Sequence, residues 1–230
     1  MAKTTILQTI SLPRGKVVGL TLVNNKVRIG ISTKNKISHG EIDVKGRYRT
    51  IGYISSPPAK PTGLAWDGQK LYIADRLEGN ILATDHEIKK IKLILSLKKL
   101  KPDKIPLVFL IPNSEITDIT WGKGFLWFTC KAGYSSSFYS LDLRKKRIIH
   151  HFRTRGPEPE GISFDSQEKY LWTLDASNRE ISQFMPNGKW TGRSLAVQLD
   201  KPTGLTIEGD TFWVFDLKTM KLYQMKEEGS

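Results

Sequence analysis

The sequence has few of the features that would indicate a disulfide-stabilised, zinc-binding or membrane-spanning protein. Cys130 is the one cysteine among 230 residues, which excludes an internal disulfide and any zinc site built from several cysteines. No apolar run approaches the roughly 18 residues that a membrane span requires. The first residues lack the apolar core of a signal peptide. We therefore expect no membrane span and a protein that is either cytoplasmic or exported with its leader peptide removed.

Acidic residues are also in short supply relative to basic ones. The chain has 36 Lys and Arg against 23 Asp and Glu, a net charge of +13. The densest basic stretch runs from Lys89 to Lys104. Two interpretations are open: it could bind an anionic polymer, or its lysines could keep an outer strand soluble and unpaired.

One stretch, residues 61–75, recurs in altered form along the chain. It reads as a strand, a tight turn and a second strand. Aligned on its glycine and spaced by 43 to 55 residues, the corresponding positions are Gly19, Gly63, Asp118, Gly161 and Gly204. Each is followed by a turn with Gly, Asn or Asp, which tolerate the positive φ of a short hairpin. One register of the second strand carries large aromatic residues in four copies, Tyr72, Trp127, Trp172 and Trp213, and Arg28 in the other.

Four short antiparallel strands repeated at this period predict the blades of a β-propeller. A lone blade cannot bury both faces, so blades pack around an axis. The last copy has only three strands, whereas residues 5–12 form an unpaired strand. The N-terminal strand should therefore complete the C-terminal blade and close the ring. We predict an all-β, five-bladed, monomeric propeller in one domain, with an insertion at residues 98–106 and blades at about 19–60, 61–114, 115–157, 158–200, and 201–230 with 1–16.

The repeat Pro-x-Gly-Leu-x-Trp-Asp-Gly-x-x-Leu-Tyr-Ile-Ala-Asp, with Gly-x-Ile-x-x-x-Asp after it, resembles the broad NHL, gluconolactonase and virginiamycin-lyase-like superfamily of propellers. At five blades it looks most like the glutamine cyclotransferase-like propellers. That resemblance implies a catalytic glutamate at the pore end of a second strand. None of the corresponding positions is glutamate: they are Ser32, Asp75, Cys130, Asp175 and Asp216.

Two acids break the repeat where the first strands should converge on the axis. Asp118 replaces the aligned glycine, and Glu160 precedes the glycine of the next copy. A pair of close carboxylates could supply a general base. The resemblance to gluconolactonase-like propellers implies a divalent metal held by an axial glutamate. Ca²⁺ or Mg²⁺ would suit such oxygen ligands. We expect no cofactor, with that metal on Glu160 and Asp118 as the alternative.

Other candidate ligand contacts follow the second strands. Arg76 lies directly after one of them, and Lys131 and Tyr134 belong to a segment, residues 131–137, that reads as the longest loop of its kind. Its Gly, Tyr and Ser content suits adaptable hydrogen bonding. The recurring Asp75, Asp175 and Asp216 either form a carboxylate ring that binds a cation or cap the loops that follow them.

Two functions stay open. The first is a non-catalytic module that binds a peptide, a saccharide or a protein at the channel mouth through Arg76, Asp118, Lys131, Tyr134 and Glu160. The second is a cyclotransferase-like, lyase-like or lactonase-like enzyme with Glu160 or Asp118 as general base. Fold motifs of this kind mark architecture more strongly than activity.

Overall fold

The computed structural model describes residues 1–33, 36–43, 45–55, 60–84, 88–99, 114–133 and 135–229. These residues form 20 β-strands and a single 3-10 turn at Leu97–Lys99. Within these ranges no helix is long and apolar enough to cross a membrane. Most of the insertion predicted at residues 98–106 lies outside the described residues.

The strands pair antiparallel in sets of four, which we call units 1 to 5 in chain order. Unit 1 comprises β2 (Lys16–Val23), β3 (Lys26–Ser32), β4 (Lys36–Ile42) and β5 (Tyr48–Ser55). Unit 2 comprises β6 (Pro61–Trp66), β7 (Leu71–Asp75), β8 (Asn80–Thr84) and β9 (Ile91–Ser96). Unit 3 comprises β10 (Glu115–Gly122), β11 (Phe125–Ala132), β12 (Ser135–Asp142) and β13 (Arg147–Arg153). Unit 4 comprises β14 (Pro159–Phe164), β15 (Leu171–Asp175), β16 (Glu180–Phe184) and β17 (Trp190–Ala196). Unit 5 comprises β18 (Pro202–Glu208), β19 (Thr211–Asp216), β20 (Lys221–Glu227) and β1 (Ala2–Ser11).

The N-terminal strand β1 completes unit 5, as predicted. It pairs antiparallel with β20, from Thr4 opposite Glu227 to Ser11 opposite Lys221. Its first residues also pair in parallel with β17, which joins units 4 and 5 into one eight-stranded sheet. Strand β20 is thereby paired on both sides, with β19 and with β1.

The first strand of each unit contacts the first strand of the next in a closed cycle. The order is β2, β6, β10, β14, β18 and back to β2. In units 1 to 4 the remaining strands follow outwards in the order of the chain, and in unit 5 β19 and β20 are followed by β1. The protein is therefore an all-β propeller, with its first strands around a central axis.

Backbone packs directly against backbone at two of the aligned glycines, Gly19 and Gly63. A Cβ atom on Gly19 would lie 2.5 Å from the amide nitrogen of Leu64, and one on Gly63 would lie 2.5 Å from the amide nitrogen of Ile119. No real Cβ makes such contacts, so these positions require glycine. All five first strands shift register at this level, between Val17 and Gly19, Thr62 and Leu64, Ile116 and Asp118, Pro159 and Gly161, and Thr203 and Leu205.

The aromatic register of the second strands fills the space between neighbouring units, as the sequence indicates. Trp127 of unit 3 packs in one cluster with Ile162 and Leu171 of unit 4. Trp213 of unit 5 packs with residues of unit 1. These large side chains supply much of the buried area that holds adjacent sheets together.

Unit 1 has a buried polar pair at this register instead. The Arg28 guanidinium lies 3.2 Å from Nδ1 of His39, and the His39 side chain is buried, at 4% exposed. Burial, and secondarily the positive charge of Arg28, lower the pKa of His39 to about 4. The imidazole is therefore neutral in the native state at neutral pH.

The buried His39 makes the protein sensitive to mild acid. Its native pKa lies below the unfolded value of about 6.5, so between these values the unfolded chain binds the proton more strongly. Stability is complete above the unfolded pKa and declines as pH falls towards the native pKa, by up to about 3 kcal/mol. Urea unfolding at pH 4.5 and 7 should show a smaller pH dependence in His39→Gln than in the wild type. The control His150→Gln removes an exposed histidine of β13 and should keep the wild-type dependence; equal dependence in both variants would contradict the assignment.

Candidate binding site at the channel mouth

Three charged side chains from three units meet at one end of the first strands. Arg76 follows β7, Glu115 begins β10, and Glu160 lies at the start of β14. Arg76 Nε donates to Glu115 Oε2 at 2.7 Å, while its Nη2 and Nη1 donate to the two oxygens of Glu160 at 2.8 and 3.3 Å. We call this arrangement the mouth cluster. It ties units 2, 3 and 4 together.

The mouth cluster stays in contact with solvent. The side chains of Arg76, Glu115 and Glu160 are 23%, 31% and 18% exposed. Burial alone would lower the pKa of Arg76, but the hydrogen bonds and charges of Glu160 and Glu115 outweigh it and raise that pKa. The guanidinium is permanently charged and held in one orientation.

Glu115 is a member of the cluster that the sequence analysis missed. Its signal is a charge pattern within the repeat. Arg76 and Lys131 occupy corresponding positions of the repeat, and Glu115 and Glu158 lie three residues before Asp118 and Gly161, the aligned positions of the next units. Lys131 Nζ donates to Glu158 Oε1 at 2.7 Å, so the same ion pair forms twice between neighbouring units.

Asp118 lies deeper on the axis and outside the mouth cluster. It is 1% exposed, and its oxygens accept hydrogen bonds from the backbone N–H groups of Ile119 at 2.9 Å and Ile162 at 3.0 Å. The missing Cβ of Gly63 leaves room for its Oδ1. Burial raises the pKa of the Asp118 carboxyl well above its ordinary range, and the charge of Glu160 adds to this effect.

The two acids that break the repeat therefore have different partners. Both oxygens of Glu160 accept from Arg76, whereas those of Asp118 accept from backbone N–H groups. A divalent metal needs about six oxygen ligands with free lone pairs. Across the described ranges no group of three or more His, Cys, Asp or Glu could hold a metal ion. These residues do not fit the metal that the gluconolactonase-like resemblance implies.

The recurring aspartates at the ends of second strands are loop caps. Oδ1 of Asp75 accepts from the N–H groups of Leu77 and Glu78. Oδ1 of Asp216 makes the same pair of contacts in unit 5, and that of Asp175 accepts from Asn178. These buried carboxylates satisfy backbone donors, which confirms the capping interpretation over a cation-binding ring.

The segment predicted to be a long loop, residues 131–137, is instead mostly strand. β11 and β12 stay paired up to Ala132 opposite Ser135. Gly133 has a φ of +57°, which permits a tight reversal of the chain. Tyr134, a predicted ligand contact, lies outside the described residues.

The basic stretch is described only as far as Lys99. Lys92 lies on the outer strand β9 and is exposed, as are Lys98 and Lys99 after it. The position of Lys92 on an outer strand agrees with a role in preventing strand pairing. Lys104 lies outside the described residues.

Removal of the central cation should destabilise the protein. In Arg76→Ala, Glu115 and Glu160 would face each other without a counter-charge. Because the group is partly exposed, water screens the repulsion, and we expect a loss of about 1–2 kcal/mol in urea unfolding. Arg76→Ala with Glu160→Gln should recover part of it. The control Arg144→Ala removes an exposed arginine from an outer turn, and its free energy of unfolding should stay close to that of the wild type. If Arg76→Ala also unfolds with the wild-type free energy, the cluster does not link the units.

The Asp118 carboxyl should give a pH dependence of the opposite sign to that of His39. Since its native pKa is raised, its contribution to stability is complete below the unfolded pKa of about 3.9 and is lost as pH rises. Asp118→Asn cannot titrate. The free energy of unfolding of the wild type minus that of Asp118→Asn should therefore fall between pH 4 and 7, by at most about 1.4 kcal/mol per pH unit. A difference that is constant or rises with pH would contradict the assignment.

Comparison with known proteins supports the fold and leaves the family open. No protein-family model and no curated protein sequence matches the chain. Glutaminyl cyclase from Myxococcus xanthus is 10% identical with a TM-score of 0.70, over 98% of this chain and 96% of that one. A nidogen/laminin complex gives 19% identity and a TM-score of 0.61, over 92% of this chain and 76% of that one. A catalytically inactive virginiamycin B lyase from Staphylococcus aureus with quinupristin gives 18% and 0.56, over 94% and 68%. At these identities the likeness shows the fold alone: the chain is similar to β-propeller proteins.

Proposed function

We propose that the protein is a five-bladed propeller of the NHL, gluconolactonase and virginiamycin-lyase-like superfamily, nearest in blade number to the glutamine cyclotransferase-like group. Each four-stranded unit is one blade. The closed cycle of first strands supports this count, as does the completion of unit 5 by β1.

We further propose that it is a non-catalytic binding module whose ligand contacts the mouth cluster. The observation that carries this proposal is the guanidinium of Arg76, which two carboxylates hold at the channel mouth while part of it stays exposed. The described contacts use three of its five N–H donors. A cation fixed in this way binds a ligand oxygen with little loss of side-chain entropy.

The charges of the mouth favour a peptide or protein segment over an ion of one sign. The cluster combines Arg76 with two carboxylates, and the pair of Lys131 and Glu158 extends the alternation. A peptide presents both donors and acceptors and can match both signs. The nidogen/laminin complex is a protein–protein complex of a structurally similar chain. A saccharide, which also carries donors and acceptors, is the other ligand class to test.

The alternative is an enzyme with an axial carboxylate as general base, as the similarity to a glutaminyl cyclase and a lyase suggests. A general base must come within hydrogen-bond reach of the substrate proton. Both oxygens of Glu160 are engaged by Arg76. Asp118 is buried and bonded to backbone N–H groups. This arrangement supports binding over general-base catalysis.

One set of variants can distinguish a binding module from an enzyme. The purified protein is screened by thermal shift against a hexapeptide library, a glycan set and peptides that begin with glutamine, and hits are measured by calorimetry. We expect a peptide hit whose Kd weakens at least tenfold in Arg76→Ala and stays within twofold in Arg144→Ala. No ammonia should be released from the glutamine peptides.

Two results would overturn the proposal. Ammonia release that disappears in Glu160→Gln would identify a cyclase and assign Glu160 to the reaction. Hits that bind Arg76→Ala and the wild type equally would remove the ligand from the mouth cluster. Circular dichroism confirms that each variant is folded before its binding is compared.

A further inference from the structure

A cavity of about 480 Å³ lies at the opposite end of the axis from the mouth cluster. Its lining comes from the ends of the first strands of all five units and from the hairpin turns that follow three of them. Volumes of this size are typical of small-molecule sites. The candidate ligand contacts of the proposed function lie at the other end of the channel.

The first strands of units 1, 3, 4 and 5 each contribute two consecutive residues to the cavity in the same register, and that of unit 2 contributes Trp66. The first position is a small side chain, a hydroxyl in four units: Thr21, Thr120, Ser163 and Thr206. The second position is large and apolar in all five: Leu22, Trp66, Trp121, Phe164 and Ile207. The cavity therefore combines aromatic walls with a set of hydrogen-bonding hydroxyls.

The aromatic walls are fixed yet partly open. Trp121 stacks on Tyr72, with ring centroids 5.7 Å apart and planes within 5° of parallel. Trp66 and Phe164 are half-buried, as is Trp121. Rings held in this way present a preformed flat surface on which a second ring can stack.

The charge of the lining has one sign. Lys123 and Lys169 lie at the rim, and the lining residues that the structure describes include no aspartate or glutamate. Both lysines are exposed and adopt a positive φ, of +51° and +64°, within the hairpin turns. The Lys169 ammonium donates to the carbonyl oxygen of Ser166. Two cations without a carboxylate favour an anionic ligand, in agreement with the net charge of +13.

We propose that this cavity binds a small organic anion with a planar ring. The ring stacks on the faces of Trp66 and Trp121, the hydroxyls orient it, and the anionic group lies between Lys123 and Lys169. The shared chemistry is a flat ring that carries a phosphate or a carboxylate. A nucleoside monophosphate and an aromatic carboxylate are its two sources.

The experiment titrates the intact protein with adenosine 5′-monophosphate, adenosine, indole-3-acetate and galacturonate. Tryptophan fluorescence and calorimetry report binding independently, at two salt concentrations. One of the two ring anions should bind saturably and quench the tryptophan fluorescence. Its affinity should fall when salt is added. Adenosine, which lacks the charge, and galacturonate, which lacks the flat ring, should bind at least tenfold more weakly than that anion. The comparison of the phosphate with the carboxylate identifies the source.

Matched variants locate the site. The double variant Lys123→Asn with Lys169→Asn keeps a residue that tolerates positive φ and should weaken binding at least tenfold. The control Lys146→Asn with Lys189→Asn removes the same charge from two exposed outer turns and should stay within twofold of the wild type. Trp66→Phe should reduce the fluorescence change while the protein remains folded.

Three outcomes would overturn the inference. The first is no binding of either ring anion at millimolar concentration. The second is equal binding to the rim variant and its control, and the third is tighter binding of galacturonate than of either ring anion. Arg76→Ala alters only the mouth cluster and should not change the affinity of the aromatic cavity for the ring anion. A negative result for this cavity can therefore be distinguished from a negative result for the proposed function.

Discussion

The architecture depends on how closely the first strands approach one another around the axis. At the level of Gly19 and Gly63 the backbones leave no room for a Cβ atom, so this layer of the axis can hold almost no side chains. Asp118 is the exception, because its carboxyl group accepts hydrogen bonds from neighbouring N–H groups and occupies the space that Gly63 leaves. Side chains can therefore gather only above and below this layer, which divides the axis into a charged end and an aromatic end.

Much of the fold could be predicted because the repeat records it directly. The recurring glycine marks the axial layer, the aromatic register marks the contacts between units, and the three-strand last copy requires a strand from the N-terminus. The pairing of β1 with β20 follows from counting strands. The segment 131–137 was misread because its Gly and Ser content favours a loop, whereas strand pairing with its own hairpin partner determines the outcome.

The candidate site was predicted in part. Arg76 and Glu160 do meet: Glu160 was a candidate because it breaks the repeat, and Arg76 because it directly follows a second strand. Burial of Asp118 could not be read from the sequence, since it depends on glycines in other units. The aromatic cavity was missed for a similar reason: Trp66 and Trp121 each look like ordinary residues at a strand end, and only the ring arrangement brings them to one space.

The pairing of β1 with β20 has a consequence for how the protein folds. Thr4 and Glu227 are partners although almost the whole chain separates them. Ile10 of β1 completes an apolar cluster with Trp213 and Phe215. During synthesis Thr4 to Ser11 of β1 cannot pair with β20 until the ribosome has delivered residues 221–227. Contacts of such long sequence separation close slowly, and an unpaired edge is prone to association in the interval. We therefore expect the seam that completes unit 5 to form late in the assembly of the protein.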